Sequence, residues 1–274
     1  YAAAPAGIVA GLTRVPLVVQ EQNAVPGITA RLLSRWARRV HVAFPEAVSR
    51  LPARARTRTV VSGNPVRAES GLPRAEARAA LGLPPAARVL LVVGGSQGSL
   101  ALNRTVLAAV RAVASGALAR PEGLHVLWST GPKHHEAVSG ALLESGTPGW
   151  VTALPYLDDM PSALAASDLA VSRAGAMATA ELLVCGLPAI LVPLPTAAAD
   201  HQARNAEALA AAGAAVVLPE EGLTGEALWR TVISLVLDEP RMRAMADRAR
   251  ARGLPAAASE VAEDIAALLP EPAA

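Results

Sequence analysis

The sequence has few aromatic residues, one cysteine and one lysine. Aromatic residues make up 3% of the 274 positions and hydrophobic residues 52%, so a folded core must be largely aliphatic. The single cysteine, Cys185, excludes an internal disulfide and is typical of a reducing compartment. Because Cys185 ends the apolar stretch 182–185, we expect it to pack in the core. The net charge of +2 is too small to indicate binding to nucleic acid.

The sequence also lacks a long hydrophobic run. No stretch reaches the roughly 18 uninterrupted apolar residues that a membrane span requires. Residues 1–7 have no basic flank and are not typical of a signal peptide. They also lack an initiating methionine and resemble a connection between a strand and a helix. We therefore expect the chain to begin partway through a domain.

Short apolar runs alternate with helical patterns along the whole chain, which predicts an α/β fold with parallel sheets. The predicted strands are residues 16–20, 40–44, 59–62, 89–93, 125–129, 151–154, 169–172, 189–193 and 215–218. The predicted helices are residues 5–13, 29–38, 74–81, 100–114, 134–145, 160–166, 176–185, 201–212, 225–238, 240–251 and 256–269.

Turn-forming residues between positions 63 and 73 indicate a break between two domains. We therefore predict a first domain over residues 1–66, a connection over 67–87 and a second domain over 88–269. Residues 270–274 are expected to be a disordered tail.

The segment 89–98 (VLLVVGGSQG) combines a predicted buried strand with a glycine-rich turn. Glycines let the backbone of such a turn approach a ligand closely. The helix that begins near Leu100 points its N–H groups and its positive dipole end into the same space. This combination favours a phosphate site around Ser96, and an ordinary strand-to-helix turn is the alternative.

Two known kinds of phosphate loop are excluded. No Gly-Lys-Ser or Gly-Lys-Thr ends the turn, as a P-loop requires. The next predicted strand, 125–129, does not end in the acidic residue that a dinucleotide-binding fold uses. Nicotinamide and flavin cofactors are therefore not expected.

A second candidate is Glu181, which follows the predicted strand 169–172 and the turn 173–175. Ligands in parallel sheets bind at the carboxyl ends of the strands, which is where this turn lies. The two oxygens of a carboxylate can accept hydrogen bonds from both hydroxyls of a ribose. The alternative is a glutamate on a solvated helix surface.

Two further candidates complete a cleft. Asp200 is predicted to cap a helix, which puts His201 and Gln202 in the first turn, where an amide can bind sugar hydroxyls. Arg67 carries a guanidinium that can bind a diphosphate through two parallel hydrogen bonds. A simple surface helix and a solvated arginine are the alternatives. Together with the glycine turn and Glu181, these residues describe a site for a nucleotide sugar.

Six motifs carry a specific resemblance. They are residues 18–27 (VVQEQNAVPG), 63–67 (GNPVR), 93–98 (VGGSQG) with Leu102 and Asn103, 157–160 (LDDM), 172–176 (SRAGA) with Glu181, and 200–202 (DHQ) with Asn205. In this order and spacing they resemble the MurG family, the peptidoglycan N-acetylglucosaminyltransferases of bacteria. The resemblance extends from Tyr1 to about Leu269.

The resemblance implies a GT-B fold of two Rossmann-like domains with parallel sheets, the N-terminal one lacking its first strands and helices. It implies an inverting glycosyltransferase that moves GlcNAc from UDP-GlcNAc to the C4 hydroxyl of the MurNAc of lipid I. The product would be lipid II, a precursor of peptidoglycan. Such an enzyme would lie peripherally on the cytoplasmic face of the bacterial cell membrane.

The resemblance also assigns site residues by family position. The residues implied to bind the donor UDP-GlcNAc are Arg67, Ser96, Leu157 (through backbone near the uracil), Ala176, Met177, Glu181 and Gln202. Asn23 and Asn103 are implied to lie at the acceptor side. No metal ligand is implied and no cofactor is expected to be tightly bound, although the use of a divalent cation is left open.

The chain departs from the family by lacking a Gly-Gly-Thr-Gly-Gly-His loop, which carries the best candidate for the catalytic base. No catalytic residue is therefore assigned, and the alternative function is a UDP-sugar-binding fragment without catalysis. A third interpretation is a related epimerase or a glycosyltransferase with another donor. The motif at residues 21–23 (EQN) argues against it, because that motif belongs to the acceptor side of the family. Ala178 and His201 also stand where the family often has threonine and glutamine.

The predicted helix over residues 29–39 places four arginines beside three apolar residues. They are Arg31, Arg35, Arg38 and Arg39 with Leu32, Leu33 and Trp36. This pattern favours contact with an anionic membrane surface, and an ordinary surface helix is the alternative. Because the first three strands would lack part of their neighbours, we expect residues 1–66 to be the less stable part.

Overall fold

The structure, a computed structural model, describes residues 3–67, 72–146 and 148–269. Three strands form a first sheet in the order β1-β2-β3, namely β1 (Val18–Glu21), β2 (Arg39–Val42) and β3 (Thr59–Val61). Six strands form a second sheet, namely β4 (Arg88–Val93), β5 (Leu124–Ser129), β6 (Val151–Leu154), β7 (Leu169–Ser172), β8 (Ala189–Leu191) and β9 (Ala215–Val217). All pairs of neighbouring strands are parallel. The predicted α/β fold with two parallel sheets is confirmed.

Helices connect these strands. Within the described residues they are α1 (Ala3–Thr13), α2 (Ile28–Leu33), α3 (Pro45–Val48), α4 (Ala53–Arg56), α5 (Arg74–Ala80), α6 (Leu100–Ala114), α7 (His135–Glu144), α8 (Met160–Ala166), α9 (Ala176–Val184), α10 (His201–Ala211), α11 (Gly225–Val236), α12 (Glu239–Arg252) and α13 (Ala257–Ala266). A short 3₁₀ turn, Ala198–Asp200, precedes α10. None of the helices in the described ranges is long and apolar enough to cross a membrane.

The second sheet is buried on both faces, as its apolar strands predict. Side chains of a strand alternate between faces, so Val89 and Leu91 of β4 belong to one core and Leu90 and Val92 to another. The first core lies under α8, α9 and α10, and the second under α6 and α11. Trp128 of β5 is fully buried in the second core. The two layers of helices hold the carboxyl ends of the strands in fixed positions.

The strand order of the second sheet determines where a crevice forms. The order is β6-β5-β4-β7-β8-β9, so the chain winds outward from β4 in one direction and then from β7 in the other. This is the doubly wound order of Rossmann folds. Ligands bind such sheets at the point where the winding reverses, outside the carboxyl ends of the two central strands. The expected ligand position therefore lies after Val93 and Ser172.

The first sheet differs from the predictions in its helices. The predicted helix over residues 29–38 is shorter, because α2 ends at Leu33 and the chain turns to join the sheet. The Arg38 N–H donates to the carbonyl of Leu17 at 2.7 Å, and Arg39 already belongs to β2. The short helices α3 and α4 were not predicted, because four residues are too few to show a helical period.

The two sheets are joined by long-range contacts at the C-terminal end. Arg252 of α12 binds the carboxylate of Glu46 at 2.8 Å, and Asp264 of α13 lies 3.0 Å from Arg39. In the predicted connection, α5 packs against α8, and its buried Arg78 binds Asp168 at 2.8 Å. The predicted tail, residues 270–274, lies outside the described residues.

Candidate functional site

A cleft of about 400 Å³ lies at the carboxyl ends of β4 and β7, where the winding reverses. Its walls come from four segments of the part of the chain that forms the second sheet. The lining residues are Gly94, Gly95, Gly98, Ser99, Leu100, Ala101, Ser172, Arg173, Gly175, Ala178, Leu194, Gln202 and Glu220. The glycine turn and the turn after β7 thus face each other, as the strand order predicts. We call this the switch-point cleft.

The glycine turn follows a path that side chains would obstruct. Gly95 and Gly98 have φ angles of +92° and +73°, which disfavour other residues. A Cβ at Gly98 would also clash with the carbonyl of Thr130, and one at Gly94 would lie 2.6 Å from the Ser99 nitrogen. The turn is therefore packed against the end of β5 on one side and leaves its other side to the cleft.

Two helices point their N-termini at the switch-point cleft. Ser99 caps α6, because its Oγ accepts a hydrogen bond from the Leu102 N–H. The nine-residue helix α9 begins after Gly175, which offers no side chain as a cap. The first N–H groups and the positive ends of both helix dipoles favour a negatively charged ligand. A diphosphate is the anion that suits a cradle with two such ends.

Arg173 holds the walls of the cleft together from behind. Its guanidinium is buried and donates to the carbonyl of Val192 at 3.0 Å and to Ser99 Oγ at 2.5 Å. It also forms an ion pair with Glu220, which balances its charge. Arg173 therefore connects the ends of β7 and β8 with the cap of α6.

Gln202 lies at the edge of the cleft, and its helix begins at His201, as predicted. The Leu194 N–H donates to Gln202 Oε1 at 3.0 Å, which leaves the amide N–H groups to face the cleft. Asp200 occupies the N-cap position of this helix, as predicted, but the prediction that its side chain caps the helix is wrong. Asp200 has a φ of +54° and forms no capping bond, because an N-cap needs an extended backbone to bring its side chain to the helix N–H groups.

Glu181 lies on α9, three residues after Ala178 of the cleft wall, and therefore on the same face of the helix. Its side chain is half-buried, and this burial raises the pKa of the Glu181 carboxyl above its ordinary value. A carboxylate that has lost hydration gains from hydroxyl donors. This position and this environment suit the binding of a ribose.

Three of the other predicted residues belong to the segments that border the cleft, although none of them is among its lining residues. Ser96 is exposed in the glycine turn, and Ala176 and Met177 form the first turn of α9. Arg67 is exposed after β3, in the predicted connection. The side chain of Leu157 is 3% exposed and packs in a core, so only its backbone can serve a ligand.

Asn103 is buried beneath the glycine turn. Its amide donates to the carbonyl of Thr130 at 2.7 Å and accepts from the Trp128 indole at 3.1 Å. With 2% of its surface exposed, the side chain does not lie on the cleft wall. It ties α6 to the end of β5, which fixes the position of the glycine turn.

Asn23 lines a second depression, a groove of about 750 Å³ beside the first sheet. The walls of this groove are α1, β1, residues 23–30 and, from the second half of the chain, residues 198, 199 and 201. His201 faces this groove, whereas its neighbour Gln202 faces the switch-point cleft. Residues 194–202 therefore lie between the switch-point cleft and this groove, which we call the first-sheet groove.

Three residues of the site were not predicted. A serine before an apolar helical run is a known signal for an N-cap, so Ser99 could have been found. Arg173 and Glu220 could not, because their contact joins the ends of distant strands. Among the residues that the structure describes, no group of three or more His, Cys, Asp or Glu side chains is arranged to hold a metal ion. The absence of a tightly bound cofactor stays a prediction.

The two Rossmann-like parallel sheets are those of the GT-B fold of glycosyltransferases. The chain belongs to glycosyltransferase family 28: the model of the family 28 C-terminal domain matches residues 89–265, and that of the N-terminal domain matches residues 1–42. Within this family the chain belongs with the MurG transferases, as its motifs predict.

Curated relatives support this placement. A relative from Salinibacter ruber is 44% identical over 271 residues, covering 98% of this chain and 70% of the relative. A relative from Alkalilimnicola ehrlichii is 44% identical over 263 residues, covering 96% of this chain and 70% of the relative. Both are named UDP-N-acetylglucosamine--N-acetylmuramyl-(pentapeptide) pyrophosphoryl-undecaprenol N-acetylglucosamine transferase. The chain thus spans about 70% of their length.

Solved structures agree with the fold. The crystal structure of Acinetobacter baumannii MurG matches with a TM-score of 0.75 and 31% identity, covering 97% of this chain and 72% of that one. The UDP-GlcNAc 2-epimerase from Neisseria meningitidis matches with a TM-score of 0.67, covering 96% of this chain and 72% of that one. Its identity of 13% shows a shared fold alone. The comparisons therefore favour a transferase over the epimerase interpretation.

Proposed function

We propose that this chain transfers GlcNAc from UDP-GlcNAc to the C4 hydroxyl of the MurNAc of lipid I, which forms lipid II. The observation that carries the proposal is the cradle at the switch point, where the N-termini of α6 and α9 converge on one cleft. Relatives that are 44% identical are named for this transfer. The proposal makes this chain an enzyme of peptidoglycan synthesis.

In this proposal the switch-point cleft holds the donor. The diphosphate lies against the glycine turn around Ser96 and the first turn of α9, with Arg67 as the cation. The ribose hydroxyls bind Glu181, the uracil edge meets the backbone near Leu157, and the GlcNAc lies near Gln202. Each assignment is the one that the resemblance to the MurG family implies, and the chemistry of each side chain suits it. Of these residues, Gln202 lines the cleft itself.

The reaction breaks the bond between C1 of GlcNAc and the β-phosphate oxygen. The C4 hydroxyl oxygen of the acceptor forms the new bond to C1 from the opposite side, which inverts the configuration. Negative charge grows on the departing UDP, where fixed N–H groups of α6 and α9 stabilise it. The hydroxyl proton passes to a base, for which no residue is assigned.

The acceptor lies, in this proposal, at the first sheet and near a membrane. The outer surface there exposes large apolar side chains, namely Val9, Leu12, Ile28 and Trp36, of which Ile28 is 78% exposed. Arg31, Arg35 and Arg38 are exposed in the same region, whereas Arg39 is paired with Asp264. Apolar side chains with a basic surround suit the cytoplasmic face of a membrane with anionic lipids.

The transfer is tested by incubating the chain with UDP-GlcNAc and a lipid I analogue, while calorimetry measures donor binding separately. Binding together with formation of the disaccharide supports the proposal. Binding without transfer supports the alternative of a UDP-sugar-binding fragment. An absence of binding to UDP-GlcNAc and UDP would overturn both. Repeating the assay with EDTA shows whether a divalent cation contributes.

The membrane contact is tested by sedimentation with vesicles that contain phosphatidylglycerol. Changing Arg31, Arg35 and Arg38 to glutamate is expected to abolish sedimentation. The matched control changes three exposed arginines of α11 and α12 to glutamate, namely Arg230, Arg241 and Arg243. Equal loss in both triple variants would show a general charge effect and reject the assignment of this surface.

A further inference from the structure

A group of buried amides joins the two sheets beside the proposed site. Asn205 of α10 is fully buried, and its Oδ1 accepts a hydrogen bond from the Ala24 N–H at 2.9 Å. Its Nδ2 donates to Asn23 Oδ1 at 3.1 Å and to the carbonyl of Ala174 at 3.1 Å. One side chain therefore binds the loop after β1 and the turn after β7, which are far apart in the sequence.

The partner of Asn205 is oriented from two sides. Asn23 Oδ1 is occupied by Asn205, and Asn23 Nδ2 lies 3.3 Å from Glu21 Oε1. A flipped Asn23 amide would place two N–H donors against each other at Asn205 and two oxygens against each other at Glu21. Glu21 is itself held, because it also accepts from the backbone N–H groups of Asn23 and Gly27 at 2.9 Å each.

This orientation leaves one donor for a ligand. A primary amide carries two N–H groups. In the described part of the chain, one N–H of Asn23 is directed at Glu21, and Asn23 lines the first-sheet groove. Within the described residues the second N–H has no acceptor, so it can donate to an oxygen of a bound ligand, such as a hydroxyl of a sugar.

We propose that Asn205 is a positioning residue that acts through Asn23. Asn205 orients the Asn23 amide so that one of its N–H groups donates a hydrogen bond to a hydroxyl oxygen of the acceptor sugar. It also holds this amide at a fixed position relative to the turn 174–176, which borders the proposed site for UDP-GlcNAc. This inference rests on the proposed function, because it concerns the acceptor of the same transfer. It makes an interdomain contact part of acceptor recognition.

Asn64 provides a matched control for a merely structural contact. It is 2% exposed, and its Nδ2 donates to the carbonyls of Gln22 and Ala176 at 3.1 Å each. It thus joins the same loop to the same turn with the same chemical group. Within the described residues it forms no hydrogen bond with Asn23, so removing it weakens the interface without freeing the Asn23 amide.

The test is a double-mutant cycle on transfer kinetics. Asn205→Ala and Asn23→Ala are each expected to raise the KM for a lipid I analogue about 10-fold, which corresponds to about 1.4 kcal/mol, with the dissociation constant of UDP-GlcNAc changed by less than about 3-fold. In the double variant the KM should equal that of Asn23→Ala alone. Asn64→Ala should combine additively with Asn23→Ala. Additive effects of Asn205 and Asn23 would overturn the proposal, as would a loss confined to donor affinity.

A second measurement separates this inference from the proposed function. The side-chain N–H signals of Asn23 in nuclear magnetic resonance are expected to exchange slowly with water in the unsubstituted chain and in Asn64→Ala. They should exchange quickly in Asn205→Asp, which retains the oxygen that binds Ala24 and loses the donors to Asn23. If the chain shows no transfer, the proposed function fails, while this exchange pattern still decides the positioning. Unchanged exchange in Asn205→Asp would overturn the inference.

Discussion

The guanidinium of Arg173 lies 2.5 Å from the hydroxyl of Ser99, and this contact joins the turn after β7 to the cap of α6. The two residues are 74 positions apart in the sequence. The contact matters because the two residues lie at the start of two segments that line the switch-point cleft, the turn after β7 and the helix α6. The shape of the cleft that we propose for the diphosphate therefore depends on a buried ion pair between Arg173 and Glu220 and not on the glycine turn alone.

Removing Arg173 should destabilise the second sheet and weaken binding of UDP. Arg173→Ala leaves Glu220 without its partner and the carbonyl of Val192 without a donor, which costs about 3 kcal/mol. The free energy of unfolding from urea titrations and the dissociation constant of UDP measure the two effects. Ser99→Ala is the milder companion variant and should cost about 1 kcal/mol through loss of the cap. Equal stability of Arg173→Ala and the unsubstituted chain would contradict this account.

Gly98→Ala should displace the glycine turn, because a Cβ there meets the backbone of Thr130 at a φ of +73°. We expect a loss of UDP affinity of at least 10-fold together with reduced stability. Gly146→Ala is the control, since Gly146 has a similar φ of +83° with open space around it and ends α7 away from the cleft. It should cost about 1 kcal/mol in stability and nothing in affinity. A comparable loss of affinity in both variants would refute the role given to the turn.

Glu181→Gln should stabilise the free chain and weaken binding of the ribose. Burial raises the pKa of the Glu181 carboxyl, so the stabilising effect of its protonation is present at low pH and is lost as pH rises through the raised pKa. At neutral pH the substitution removes a half-buried charge. In Glu181→Gln, bound UDP loses the hydrogen bonds of its ribose hydroxyls to a charged carboxylate, which weakens binding by about 1.5–3 kcal/mol. Bound 2′-deoxy-UDP loses fewer such bonds, because it lacks one of the two hydroxyls.

Calorimetry with these two nucleotides measures the effect. The preference for UDP over 2′-deoxy-UDP should be present in the unsubstituted chain, should shrink in Glu181→Gln and should decline as pH falls through the raised pKa. Glu226→Gln, on the exposed surface of α11, is the matched control. A preference that persists in Glu181→Gln would place the ribose elsewhere.

His41 should make the stability of the first sheet depend on pH. Burial lowers the pKa of His41, although Asp264 and Glu260 oppose this and Arg39 adds to it. The unfolded chain therefore binds a proton near pH 6.5 that the folded chain resists, so stability falls as pH drops below about 6.5. The ring lies between Ser62 Oγ at 3.1 Å and the Asp264 carboxylate at 3.4 Å.

Hydrogen exchange of amides in β2, followed from pH 7.5 to 5.5, measures this dependence. In His41→Val, the exchange rates of these amides should depend less on the stability change between pH 7.5 and 5.5. The pKa of His125 in the second sheet is also lowered by burial. His125→Val is therefore expected to reduce the pH dependence of stability measured at the β5 amides and to leave the pH dependence measured at the β2 amides unchanged. An identical pH profile for β2 with and without His41 would disprove the assignment.

The strands could be predicted from the sequence because each is an apolar run of the length that a buried parallel sheet requires. The segment 89–93 is the strongest case, and the structure buries its side chains on both faces. The glycine turn and the helix after it were predicted for the same reason, since their signals are local.

The remaining features depend on topology. The sequence around Asp200 has the composition of an N-cap, yet the backbone there is left-handed, because residues 194–202 must pass between the cleft and the groove. The contacts of Arg173 with Glu220 and of Asn205 with Asn23 join segments 47 and 182 positions apart. No local pattern indicates such pairs, since only the strand order brings them together.

The central claim is that the switch-point cleft binds the diphosphate of UDP-GlcNAc, and amide hydrogen exchange with and without this donor tests it most directly. The account predicts protection in residues 94–101, 175–181 and 194–202. A larger cavity of about 650 Å³ at the opposite ends of the strands, lined by Arg88, Asp168 and Arg243, serves as the internal comparison. Protection confined to that cavity, with the glycine turn unchanged, would contradict the account.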